Sequence, residues 1–100
     1  MSRIVIVGQF DIHPDDAAAA ELMRVMMNET MQEQGCHHYA YSRDLSTPHR
    51  FQLSELWEDE ACLAAHFRTG HMATYRAGMS KLRVHRRMVT RYEVTKATDL

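Results

Sequence analysis

The stretch from Phe51 to Tyr75 constrains the fold more than any other, because its hydrophobic period changes part-way along. Phe51, Leu53, Glu55 and Trp57 alternate with Gln52, Ser54, Leu56 and Glu58, the period of two required by a strand with one buried face. That face is apolar except for one carboxylate, Glu55. Asp59 and Glu60 then open a helix carrying Leu63 and Phe67 at i, i+4 spacing. Gly70 interrupts this helix, and a second piece runs from His71 to about Lys81. A one-sided strand running straight into a bent or split helix points to an α+β domain.

The rest of the chain completes that domain. Ile4 to Val7 is an unbroken β-branched run suited to a strand buried on both faces, and Gly8 to Ile12 continue it in more polar form. Pro14 occupies a first helical position, and Asp15 and Asp16 complement the positive end of the helix dipole. From Ala17 to Gln34, the residues Ala19, Leu22, Met23, Met26 and Thr30 recur at helical spacing, and Gly35 supplies a left-handed stop. Cys36 to Arg43 reads as a strand with His37, Tyr39 and Tyr41 on one face, followed by a turn over Asp44 to His49. In a last strand from Arg83 to Val94, Val84, Met88, Tyr92 and Val94 share one face, and His85, Arg87, Val89 and Arg91 the other.

The order is therefore βαββαβ. Right-handed crossovers make it a ferredoxin-like fold, with a four-stranded antiparallel sheet and both helices on one face. Residues 2–94 form a single domain and 95–100 a frayed tail. The other sheet face then needs cover, since an open face of Ile, Val and Tyr is a sticky patch. A homodimer closed by two-fold symmetry, sheet against sheet, supplies it.

At 100 residues a lone chain buries only about two-thirds of its unfolded surface, which also favours a partner subunit. A net charge of −1 gives no pull toward nucleic acid or an anionic membrane. Met1 to Val7 holds too short an apolar run for a signal-peptide core or a membrane span, so the expected location is cytoplasmic. Cys36 and Cys62 lack CxxC spacing and read as reduced thiols.

The chemistry-bearing residues are few. There is no G-x-G-x-x-G, P-loop or G-x-S-x-G, so phosphate cofactors and acyl-enzyme chemistry have no support. His66 and His71 lie five apart rather than four, with no nearby Cys or Asp to complete a ligand set, and no metal site is expected. His37 and His38, adjacent in a strand, point to opposite faces. Arg83, Arg86, Arg87 and Arg91 suit a solvated edge or ion pairs across a dimer. What remains is a cluster of Glu55, Trp57, His66, His71 and Tyr75, able to line one cavity. Each also has a packing role open to it: Trp57 buried in a core contributes about 2–3 kcal/mol, and Glu55 and His66 can satisfy one another or an Arg. An imidazole titrating near neutral pH equally suits His66 to act as a base.

Three segments resemble the antibiotic-biosynthesis monooxygenase family, and its bacterial quinol monooxygenase branch most of all. They are Glu33-Gln34-Gly35-Cys36-His37-His38-Tyr39, Glu55-Leu56-Trp57-Glu58 and Ala65-His66-Phe67-Arg68-Thr69-Gly70-His71-Met72, with Tyr75 beyond. The resemblance implies a dimeric α/β barrel that oxidises a quinol, phenolic or polyketide-like aromatic with O₂ as co-substrate and with no metal or flavin cofactor. It implies His66, Glu55 and Tyr75 as catalytic groups, His66 serving as base or hydrogen-bond partner. Trp57, His71, Met72, Tyr39 and His37 would then lie against the substrate. Haem-degrading relatives place an iron-ligating His where Arg76 stands, and a first-strand Asn where Gly8 and Gln9 stand, so haem degradation is disfavoured. Other relatives isomerise small oxygenated metabolites, and a non-catalytic module that binds a quinone is a third expectation.

Overall fold

A computed structural model describes residues 2–100. The elements are β1 (Arg3–Ile12), α1 (Ala18–Thr30), β2 (Cys36–Arg43), β3 (Arg50–Trp57), α2 (Glu60–Phe67), α3 (Gly70–Met79) and β4 (Val84–Val94). Residues 95–100 have no regular structure beyond a bend. The strands form one antiparallel sheet in the order β2-β3-β1-β4. This is the ferredoxin-like α+β arrangement.

Register carries the alternation of the sequence into the core. Ile4 faces Trp57, Ile6 faces Glu55 and Phe10 faces Phe51 across β1 and β3. Tyr39 and Tyr41 stand opposite Glu55 and Leu53 across β2 and β3. These side chains turn toward the helices, where Met23 and Met26 of α1 and Leu63 of α2 are buried with them. The opposite face is bare: Val7 is 48% exposed, Met88 51% and Tyr92 52%.

One boundary and the cause of another differ from the sequence reading. Helix α1 opens at Ala18, not at Pro14, and no side chain caps it. Asp16 has another partner: its carboxylate accepts from the Arg83 backbone N–H at 2.6 Å and from the Arg83 guanidinium at 2.8 Å. This pairing holds the carboxyl down at about 2 and ties the start of α1 to the start of β4. The break between α2 and α3 lies where it is expected, but Gly70 does not cause it. Gly70 is the first residue of α3. Thr69 before it is extended (ψ 154°), and its hydroxyl accepts from Met72 N–H, a side-chain N-cap that starts a new helix.

Gly35 has φ +78°, and a Cβ there would lie 2.3 Å from Cys62 Sγ. Only glycine allows the chain to pass this close to α2 while turning from α1 into β2.

Candidate active site

The helix-facing side of the sheet and the α2–α3 pair enclose a cavity of about 630 Å³. Strand β3 contributes Leu53 and Glu55 to its lining, β2 contributes Tyr39 and Tyr41, and the helices contribute His66, Met72 and Tyr75. Phe10, Arg76 and Arg87 also line it. The walls are mainly apolar, with a few polar groups converging on one volume, as in small-molecule sites generally.

Among the carboxyls, Glu55 is the one most altered by this setting. It is 7% exposed, and its Oε1 accepts from Trp57 Nε1 at 2.8 Å. Burial pushes the carboxyl up to about 7; the Trp57 hydrogen bond opposes the rise and the negative Glu33 adds to it. A carboxyl that ionises near neutral pH is a stronger base, once ionised, than an ordinary surface glutamate.

His66, 1% exposed, ends α2 against aromatic rings. Its centroid lies 4.9 Å from that of Trp57 and 5.6 Å from that of Tyr39. Nδ1 donates to Glu33 Oε2 at 2.6 Å, and His71 Nε2 donates to the same oxygen at 2.7 Å. An ionised carboxylate only accepts, so Glu33 fixes the Nδ1–H tautomer of His66. Nε2 is then the lone-pair nitrogen that His66 can offer a ligand. Burial lowers the imidazole pKa, and the Glu33 hydrogen bond opposes that shift.

Three phenols complete the polar set. Tyr41 donates to Tyr75 Oη at 2.8 Å, and the Tyr39 and Tyr41 hydroxyls are 3.3 Å apart. Burial raises the pKa of all three, so at neutral pH they remain protonated hydrogen-bonding groups. Arg76 and Arg87 bring positive charge to the same cavity. The Arg87 guanidinium sits 5.8 Å from the Phe10 ring centroid, and Arg76 donates to Phe67 O at 3.3 Å.

The structure thus gathers Glu55, His66, Tyr75, Met72 and Tyr39 on one cavity and leaves out three residues expected there. Trp57, fully buried, is the floor behind Glu55 rather than a wall. His71 faces Glu33 and an apolar groove between α1 and α3. His37 does not share the face of Tyr39 and Tyr41: the register of β2 on β3 shifts between Cys36 and His38, and the exposed His37 imidazole bonds Glu58. Glu55 and His66 do not pair with each other, since Trp57 and Glu33 satisfy them separately. Glu33 also corrects the view that His66 and His71 lack a third ligand, because the three ligand atoms lie within 4.8 Å of one another. Nothing in the local pattern marked Glu33, which lies 33 and 38 residues from its partners. Tyr41 was detectable as the strand mate of Tyr39, whereas Arg87, read as part of a solvated edge or of ion pairs across a dimer, lines the cavity instead.

A family model for antibiotic biosynthesis monooxygenases matches residues 3–78. The chain belongs to the antibiotic biosynthesis monooxygenase family. The matched segment includes Glu33, Glu55, His66 and Tyr75, while Arg87 and Val89 of the cavity lie beyond it. Among solved structures, a proposed antibiotic biosynthesis monooxygenase from Deinococcus radiodurans is 26% identical, with a TM-score of 0.88 over 97% of both chains. A conserved protein from Methanosarcina mazei is 24% identical, with a TM-score of 0.86 over 95% of both chains. A proposed member from Nitrosomonas europaea is 22% identical, with a TM-score of 0.87 over 97% of this chain and 94% of that one. At these identities the last two bear on the fold alone. No curated protein matches the chain. Among the described residues, no helix is long and apolar enough to cross a membrane.

Proposed function

We propose that this member of the family is a monooxygenase that oxidises a flat phenolic or quinol substrate with O₂, drawing every electron from the substrate itself. One observation carries this reading: a mainly apolar cavity holds a buried carboxyl, Glu55, that ionises at about 7. Glu55 Oε2 takes the proton of a substrate hydroxyl, giving an electron-rich anion in a site that shields it from water. The anion passes one electron to O₂, and recombination forms a C–O bond at the ring. Loss of water from the resulting hydroperoxide leaves a quinone. One oxygen atom enters the product, the other leaves as water, and the substrate supplies all four electrons, so no external reductant is consumed. In this reading the Tyr41–Tyr75 hydroxyl pair and Arg87, which line the same cavity, stabilise developing oxyanion charge, and His66 Nε2 orients a second hydroxyl.

The bare sheet face supports a homodimer as the working form. Val7 of β1 and Met88 and Tyr92 of the edge strand β4 lie on one side of the sheet, an apolar patch that a two-fold partner would cover.

Oxygen uptake by chelator-treated protein with a panel of reduced naphthoquinones tests the reaction. The expected result is uptake well above autoxidation, reduced about 10²–10⁴-fold in Glu55→Gln. Uptake equal to autoxidation overturns the proposal. So does product formation without O₂, which would indicate isomerisation, and so does thermal stabilisation by quinones without turnover, which would indicate a binding module.

A further inference from the structure

We propose that Glu33, His66 and His71 form a binding site for a divalent ion of the zinc class, placed behind the substrate cavity. The three residues come from separate segments: the turn after α1, the end of α2 and the first turn of α3. His66 Nδ1 and His71 Nε2 stand 2.6 and 2.7 Å from one carboxylate oxygen, and all three ligand atoms lie within 4.8 Å of one another. Two imidazoles and a carboxylate, with a fourth position open to water, are a ligand set that zinc takes. Bonds of about 2.0–2.1 Å to a tetrahedral ion place ligand atoms about 3.3 Å apart. Reaching that spacing asks the Glu33 oxygen to withdraw by about 0.6–0.7 Å from the two nitrogens and the two nitrogens, now within 4.8 Å of one another, to settle at the same separation.

The surroundings favour a fixed site over a chance meeting of side chains. The Thr69 hydroxyl donates to His66 O at 2.8 Å and accepts from Met72 N–H, which locks the turn between the two histidines. The His66 ring is wedged between Trp57 and Tyr39. The side chains of His71 and Glu33 are 19% and 13% exposed, which leaves an approach from solvent to a site closed on its other side by the buried His66.

The ion would meet the cavity proposed above only through His66. Of its three ligands only His66 lines the cavity, so the ion would sit on the Nδ1 side of the ring and substrate on the Nε2 side. A neutral imidazole has one ring proton. An ion on Nδ1 displaces that proton to Nε2, so the nitrogen facing the cavity changes from acceptor to donor. Ion binding does not depend on which reaction the cavity performs.

The test uses the whole chain, stripped with a chelator and titrated with Zn²⁺ by calorimetry and with Co²⁺ by visible absorption. One saturable ion per chain with a tetrahedral cobalt spectrum is expected. Glu33→Gln and His71→Ala should each weaken binding by at least about tenfold. The double variant His37→Ala/His38→Ala, which removes exposed imidazoles that bond Glu58 and Ser54 instead, should leave binding unchanged. Thermal unfolding of each stripped variant establishes that it is folded. Absence of saturable binding, or equal affinity in the parent and in folded Glu33→Gln and His71→Ala, overturns the site, as does loss of binding in the double variant alone.

Discussion

Glu55 links folding and chemistry in one side chain. Its folded pKa, about 7, lies above its ordinary value of 4.5. A raised value means that the folded state holds the proton more tightly than the unfolded chain. The group's contribution to stability is therefore fully present below pH about 4.5 and is lost as pH rises through 7. At about 1.4 kcal/mol per pH unit the loss amounts to about 3 kcal/mol. Glu55→Gln keeps an acceptor for Trp57 Nε1 and carries no charge. In chemical denaturation it should be more stable than the parent by up to about 3 kcal/mol at pH 8 and little different at pH 5. A stability difference that does not change with pH would place the carboxyl in ordinary solvent. Over the same range, turnover by the parent should rise through pH 7 as the base ionises. The sequence revealed Glu55 because a carboxylate broke an apolar alternation. It did not reveal Glu33, which belongs to no period and acquires its role only when three distant segments meet.

The paired helices α2 and α3 show how an element can be located correctly for the wrong reason. Gly70 marks the break in the sequence, yet its backbone is not left-handed, and a Cβ there would meet no atom within 4 Å. The Thr69 cap sets the break and with it the spacing of His66 and His71. Thr69→Ala should therefore cost about 1 kcal/mol, while Gly70→Ala should stabilise by about 0.5–1 kcal/mol. Thermal melts that ranked the two substitutions the other way would return the break to the glycine. The start of α1 was misread for a related reason: Asp16 has the composition of a first-turn residue, but its carboxylate is drawn to Arg83, 67 positions away. Periodicity predicts the interior of an element well, whereas its ends depend on contacts that the sequence does not order.

For the whole molecule, a sheet with one face under helices and the other bare leaves an apolar surface that the proposed two-fold partner would cover. The unbroken run of β1 reads as a strand buried on both faces, whereas in the single chain Ile4 and Ile6 are buried under the helices and Val7 is left at the surface. If a two-fold partner covers that surface, the parent should sediment at twice the chain mass at micromolar concentration, and Val7→Glu, a charge at the centre of the patch, should sediment as a monomer. A monomeric parent would rule out the sheet-to-sheet dimer. The cavity lies on the opposite face, between sheet and helices, and every residue of its lining comes from the single chain. The central claim, that one atom of O₂ enters the substrate and the substrate's own electrons reduce the other, is tested most directly by mass spectrometry of the product formed under isotopically heavy O₂ in ordinary water. One heavy oxygen atom in each quinone is the predicted result, whereas product formed at the normal rate with no heavy oxygen would contradict the account.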